Sequence, residues 1–305
     1  MKHVIAIVGP TAIGKSQLAL RLAREFNGEI INADSRQVYR YMNIGTAKPT
    51  QEELTLVPHR LIDIINPDED FSLAQYQEMA YRAISDVQKR GKLPLLVGGT
   101  GQYVRAVLEG WAIPPVAPDP ELRRNLTERA SRGEAEELYR ELVRLDPAAA
   151  QKIDPRNVRR VIRALEVSRH AGAPFSELQK RKTPPFESMI IGLTADRAEL
   201  YRRIDARVER MIEQGFVEEV RKLVSLGYGL DLPSMSGIGY KQIGQFLKGE
   251  LTLETAIEQI KFETHRVARH QYNWFRLSDK RIRWFDVQGE LETEIRQQVT
   301  RFVAE

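Results

Sequence analysis

The eight residues Gly9-Pro10-Thr11-Ala12-Ile13-Gly14-Lys15-Ser16 constrain this chain more than any other stretch. They follow a short apolar, β-branched run, Val4-Ile5-Ala6-Ile7-Val8, and precede residues 17–26, which read as an amphipathic helix. Strand, loop and helix together make the full P-loop pattern, G-x-x-x-x-G-K-[ST]. Its two glycines let the backbone wrap around a phosphate, while the loop amides and the helix N-terminus supply partial positive charge. Lys15 adds a full charge that reaches the outer phosphates, and the Ser16 hydroxyl is placed to sit on a Mg²⁺ ion. A polyphosphate is therefore expected on Gly9 through Ser16. The loop alone does not say whether it is a nucleotide.

A strand that feeds such a loop needs partner strands, and the chain offers several. Glu29-Ile30-Ile31-Asn32-Ala33 reads as a second strand, ending at Asp34-Ser35-Arg36-Gln37. Polar residues at that end of an open α/β sheet sit where ligands bind. A breaker-rich loop leads to a third apolar run, Leu61-Ile62-Asp63-Ile64-Ile65. Residues 72–90 read as a helix with Ser72 as N-cap and Gly91 as stop. Leu93-Pro94-Leu95-Leu96-Val97 then enters the turn Gly98-Gly99-Thr100-Gly101, which opens a helix at Gln102. Alternating strands and helices predict an α/β fold, a P-loop kinase-like parallel sheet with helices on both faces.

At Trp111-Ala112-Ile113-Pro114-Pro115-Val116-Ala117-Pro118 the alternation stops in a proline-rich hinge. Residues 119–185 show no strand pattern, and Met189-Ile190-Ile191-Gly192-Leu193 returns to the sheet. The expected organisation is a catalytic core of residues 1–114 and 186–305, interrupted by an all-helical insertion at 115–185. Downstream, residues 199–226 read as a long helix or two broken at Gly215. A glycine-punctuated loop, Ser236-Gly237-Ile238-Gly239-Tyr240-Lys241-Gln242, a helix at 252–276 and a last strand at 281–286 follow.

The chain has no cysteine, which excludes a disulfide framework, a thiol nucleophile and a cysteine zinc site. No segment approaches the ~20 apolar residues of a membrane span. The first strand begins too early for a signal peptide, so a cytoplasmic monomer with no membrane partner is expected. Net charge is only +4, but it is uneven. Residues 151–183 carry Lys152, Arg156, Arg159, Arg160, Arg163, Arg169, Lys180, Arg181 and Lys182 against Asp154, Glu166 and Glu177. This is either a solvated helical face or a surface for a phosphate backbone, with Arg156, Arg159, Arg160 and Arg163 largely along one face. The helix at 261–276, with basic and aromatic residues interleaved, suits either nucleic acid or a core. Asp34 reads as a Mg²⁺ ligand or base in a kinase, as the acceptor of a proton from another nucleophile, or as a turn cap.

Taken together, GPTAIGKS, NADSRQVY, NIGTAKPT, VGGTGQY, RRVIRALEV, SGIGYKQ and Arg269-His270-Gln271 with Trp274-Phe275-Arg276 resemble the tRNA dimethylallyltransferase family, in its bacterial type. The matches span nearly the whole chain. The resemblance implies that the loop binds the diphosphate of dimethylallyl diphosphate, with Mg²⁺, and that tRNA is the second substrate through the adenosine 3′ of its anticodon. It implies that Asp34 takes the proton from adenine N6, that Thr100 lies against diphosphate and tRNA, and that Arg207 clamps the leaving diphosphate, with Arg221 the less favoured candidate. It further implies tRNA contacts at Asp34, Ser35, Arg36, Gln37, Thr100, Arg123, Arg159, Arg160, Arg163, Gly239, Tyr240 and Lys241. Gln102, Arg60 and His270 depart from the family's usual leucine, histidine and arginine without touching those groups. A small-molecule kinase and an adenylate isopentenyltransferase share the loop and remain alternatives; a non-enzymatic RNA-binding module would leave the P-loop, Asp34 and Thr100 without work.

Overall fold

The computed structural model describes residues 2–114, 116, 118–178, 181–289 and 291–305. Pro115 and Ala117 of the expected hinge and Lys180 of the basic segment lie outside the described residues. Six strands, β1 (His3–Val8), β2 (Gly28–Asn32), β3 (His59–Arg60), β4 (Leu93–Val97), β5 (Glu187–Thr194) and β6 (Ile282–Asp286), form one sheet in the order β3-β2-β4-β1-β5-β6. Every neighbouring pair is parallel. The α/β class with helices on both faces is the observed one.

Period-two alternation explains both faces. On β1, Ile5 and Ile7 join one cluster and Val4, Ala6 and Val8 the other, all fully buried. The first cluster takes Leu18 and Leu22 from helix Lys15–Glu25, Ile204 from Arg197–Glu213, and Ile295 and Val299 from Leu291–Ala304. The second takes Tyr76, Ala80 and Ile84 from Leu73–Lys89 and Val104 and Val107 from Gly101–Leu108. A parallel strand covered on both sides needs this continuous apolar run. Ser72 closes a capping box with Gln75, and Gly91, at φ 69°, ends the helix that Ser72 starts. Gly215, at φ 95°, separates Arg197–Glu213 from Phe216–Ser225.

The third strand differs from expectation. It is only His59–Arg60, and residues 61–65 form an irregular bend touching the sheet region through a bridge from Ile65 to Tyr39. Leu61 and Asp63 hold positive φ, 63° and 56°, which no strand can accommodate.

The chain divides into two compact units, Met1–Leu108 with Pro184–Glu305, and Glu109–Thr183. In the second unit the chain ends meet: Lys182 N donates to Gly110 O at 2.7 Å, and Trp111 bridges Arg181. Its helices include Pro120–Arg129, Ala135–Leu145 and Val158–Ala171, packed around Leu126, Leu138, Leu142, Val161 and Leu165. A carboxylate, Glu166, is fully buried beside them. It accepts from Arg123 at 2.8 and 2.9 Å, from Asp119 N at 2.7 Å and from Arg163. Burial pushes its pKa up, but these donors outweigh burial and leave the carboxyl below its ordinary range. The stabilisation is present above the ordinary carboxylate range and is lost as pH falls through the lowered pKa. Glu166→Gln keeps the shape and removes the charge; it is expected to destabilise the protein by about 2–3 kcal/mol, read as a shifted denaturation midpoint.

Candidate functional site

The P-loop leaves β1 and closes against β5. A Cβ on Gly9 would lie 2.5 Å from Leu193 O, and φ there is 141°, so only glycine lets the loop turn this close to the next strand. Ala12 (φ 62°) and Gly14 (φ 105°) also hold positive φ. Left-handed geometry at a non-glycine costs about 1–2 kcal/mol, the kind of strain stored where successive amides converge on an anion. Lys15 Nζ lies across the loop, donating to Gly9 O at 3.0 Å and Pro10 O at 2.7 Å. Arg207, from helix Arg197–Glu213, brings Nη1 within 3.3 Å of Thr11 Oγ1. Desolvation, reinforced by the Arg207 charge, lowers the Lys15 pKa to about 7, against a raising pull from Asp34. Arg207 is lowered by desolvation as well, and the Asp34 charge again opposes the shift. Lys15, Arg207 and Asp34 thus form one electrostatic unit. Ser16 is exposed at the start of the loop's helix.

Two strands away, Asn32 fixes the turn after β2. Its Oδ1 accepts from Asp34 N at 3.0 Å, and its Nδ2 donates to Asp34 O and Leu61 O, each at 3.0 Å. Asp34 Oδ1 accepts from Arg36 N at 2.8 Å, so one carboxylate oxygen caps the turn and the other is uncommitted among the described residues. The turn after β4 approaches closely: a Cβ on Gly98 would lie 2.1 Å from Ala33 O. Thr100 N donates to Ala33 O at 3.2 Å; Thr100 Oγ1 accepts from Ser35 N at 3.0 Å and donates to Ser35 Oγ at 3.3 Å. Arg36 reaches Ser234 O at 3.4 Å, and Gln37 donates to Thr46 O and Ala47 O at 3.1 and 3.0 Å. The loop that holds Thr46 is itself gripped. Glu219 accepts from the amides of Asn43, Ile44 and Gly45 at 2.9, 2.7 and 3.1 Å, and from Tyr240 Oη at 2.7 Å.

Several expected residues stand elsewhere. Arg221 is exposed and pairs with Glu218, away from the loop that Arg207 reaches. Tyr240 and Gly239 are buried, leaving Lys241 as the exposed member of that segment. Within the helical unit, Arg156 precedes helix Val158–Ala171 and is clipped to Asp154 at 2.7 Å, so it is not on the basic helical face. Arg123 and Arg163 turn to the buried Glu166. Arg159 and Arg160 are exposed, with no side-chain partner among the described residues. Asn32, Glu219 and Gln271 carry the framework of the site; Asn32 and Gln271 stand in quoted motifs with no role assigned and Glu219 stands in none, and the contacts of Glu219 and Gln271 reach up to 260 residues along the chain.

A phosphate cradle, two desolvated cations and one half-free carboxylate on the carboxyl rim of a parallel sheet define a P-loop group-transfer enzyme. The "IPP transferase" family model matches residues 37–278, and the "Isopentenyl transferase" model matches residues 2–66. The tRNA dimethylallyltransferase of Dehalococcoides mccartyi is 50% identical over 302 residues, covering 99% of this chain and 93% of that protein. That of Roseiflexus castenholzii is 56% identical over 276 residues, 90% of each. The full-length tRNA isopentenylpyrophosphate transferase of Bacillus halodurans superposes with a TM-score of 0.72 at 41% identity, covering 100% of this chain and 96% of that one. A eukaryotic dimethylallyltransferase acting on tRNA superposes at 0.83 with 29% identity, covering 100% and 80%. The chain belongs to the tRNA dimethylallyltransferase family.

Because Lys15 loses its proton near pH 7 in the free protein, the cation that meets an anion is depleted as pH rises above about 7. Affinity for a diphosphate anion is expected to fall by about tenfold per pH unit above that point, one proton being taken up on binding. Lys15→Arg, with a side chain that stays charged, should flatten the profile; calorimetric titration across pH checks both.

Proposed function

We propose that this protein transfers the dimethylallyl group of dimethylallyl diphosphate to N6 of the adenosine immediately 3′ of the anticodon in tRNA, releasing diphosphate. The observation that carries the reading is that Lys15 and Arg207 meet on the P-loop while the Asp34 turn leaves the same rim of the parallel sheet, in a chain of this family. Adenine N6 is a weak nucleophile because its lone pair is delocalised into the ring. Asp34, through its uncommitted oxygen, takes the N6 proton as the new N–C bond forms. Lys15, Arg207 and the P-loop amides other than Thr11 N, which is bonded to Gln271, take up the charge that builds on the departing diphosphate as the allylic C–O bond breaks. Thr100 and Ser35 to Gln37 line the acceptor side, where an adenine taken out of its stack would meet Asp34.

Mg²⁺ suits this donor set. Among the described residues no group of three histidines or carboxylates could cage a metal, and a Mg²⁺ ion carried by substrate phosphates would be held on the protein side by Ser16 Oγ, the P-loop hydroxyl. When bound it supplies further neutralisation of the diphosphate.

Within the helical unit, the exposed Arg159 and Arg160 suit contacts to a tRNA backbone; in the other unit the exposed Lys241 suits a phosphate contact of its own. Arg123 and Arg163, engaged with Glu166, shape that surface and present what remains of their guanidinium donors. We place the reaction in the cytoplasm, where tRNA is processed.

The decisive measurement is transfer of label from dimethylallyl diphosphate to an anticodon stem-loop. Asp34→Asn is expected to lower kcat by about 10²–10⁴ while leaving diphosphate binding intact. Label entering AMP instead would assign an adenylate isopentenyltransferase, and ATP turnover without transfer would assign a kinase. Arg159→Glu combined with Arg160→Glu should weaken tRNA binding and reduce its salt slope by about 1–2, with kcat at saturating tRNA preserved.

A further inference from the structure

Gln271 has no part in the chemistry above, yet its side chain joins the two halves of the site. It lies near the end of helix Leu253–Trp274. Its Oε1 accepts from Thr11 N at 2.8 Å, and its Nε2 donates to Gly99 O at 3.0 Å. One amide group thus meets a donor in the P-loop and an acceptor in the β4 turn, and only one orientation of the carboxamide satisfies both. Thr11 is the residue whose hydroxyl receives Arg207, and Gly99 precedes Thr100, which holds Ser35 beside Asp34. An unbroken series of contacts therefore runs from the diphosphate clamp through Thr11, Gln271, Gly99 and Thr100 to the acceptor turn.

The surroundings are shaped for this strap. A Cβ on Gly99 would lie 2.3 Å from Gln271 Nε2, so any side chain there expels the amide. A Cβ on Gly101 would lie 2.1 Å from Trp274 Cγ, so the helix end rests directly on the turn. Arg105 ties that end down, donating to Trp274 O at 2.9 Å and pairing with Asp279 at 2.8 Å. The amide is consequently presented from a rigid element.

We propose that Gln271 is a positioning residue that sets the separation between the diphosphate cradle and the acceptor turn, holding the allylic carbon and the attacking nitrogen in register. The inference rests on the prenyl-transfer reading. Its effect falls on the step in which both substrates are present, since neither the anion-binding cations nor the Asp34 turn depends on Gln271 directly. Misplacement of reacting groups by about an ångström is enough to cost up to about a hundredfold in rate.

The test compares the full-length protein with Gln271→Ala, Gln271→Glu, Gly99→Ala and the double variant Gly99→Ala/Gln271→Ala. Transfer from dimethylallyl diphosphate to the anticodon stem-loop is measured with each substrate varied, beside binding of each substrate alone and thermal melting. Gln271→Ala should lower kcat by about tenfold to a hundredfold while each separate dissociation constant changes by less than about threefold. Gln271→Glu, nearly isosteric, should lose rate too, because a carboxylate oxygen then faces Gly99 O. Gly99→Ala should cost a similar factor, and the double variant should be no worse than either single one, since both remove the same strap. An unchanged kcat in Gln271→Ala, losses that multiply in the double variant, or losses that merely follow melting temperature would overturn the proposal. Absence of transfer by the wild-type protein would overturn the prenyl-transfer reading itself, and this inference with it.

Discussion

Two cations in one desolvated loop are the constraint from which the rest of the structure follows. Lys15 and Arg207 are both displaced toward the neutral form, chiefly by lost solvation, with the Arg207 charge adding to the shift of Lys15 and the Arg210 charge to that of Arg207. Such an arrangement is tolerable only with an anion close by, and Asp34 is the carboxylate whose charge opposes both shifts. A fully compensating carboxylate pair would have made a stable, inert ion cluster. One carboxylate across the site instead leaves an excess of positive potential, so the cradle favours a ligand carrying more than one negative charge.

That electrostatic unit demands close backbone approach, and close approach explains the distribution of glycine. Gly9 lies against β5, Gly98 against Ala33, and Gly99 against Gln271, each within a distance that admits no Cβ. Adjacent parallel strands, β2 with β4 and β4 with β1, deliver three loops to one rim. Strand geometry alone spaces such loops by nearly 5 Å per strand, and removing side chains is what lets their atoms interlock. The sheet gives the order of the loops; the glycines give their contact.

How much of this is legible in the sequence depends on the range of the interaction concerned. The P-loop was readable because strand, glycine loop and helix start are contiguous, and the Ser72 cap because its partner is three residues away. The strand expected at residues 61–65 failed because apolar composition says nothing of backbone sign: Leu61 and Asp63 turn left-handed, with Asn32 bonded to Leu61 O. The Arg156 to Arg163 stripe failed for a related reason. Helical spacing predicts a shared face, but Asp154 captures Arg156 before the helix begins, and the buried Glu166 draws Arg163 inward. Glu219 and Gln271 were opaque because each acts across more than a hundred and seventy residues.

The gripping of residues 43–45 by Glu219 shows how such distant pairs can matter more than local pattern. A carboxylate that accepts three consecutive amides and a phenol fixes a breaker-rich loop with no secondary structure of its own. The Gln37 amide then rests on that loop at Thr46 and Ala47, three residues beyond Asp34. Phe216 and Tyr240 fill the space beneath Gly45, where a Cβ would come within 2.3 Å of Phe216. The acceptor turn is therefore braced from two sides, by Thr100 from the sheet and by the Glu219 loop from the helical layer. In the proposed reaction a carboxylate base is useful only if it keeps its distance from the reacting nitrogen to within a fraction of an ångström. Bracing it through polar contacts from both layers meets that requirement while leaving one Asp34 oxygen uncommitted.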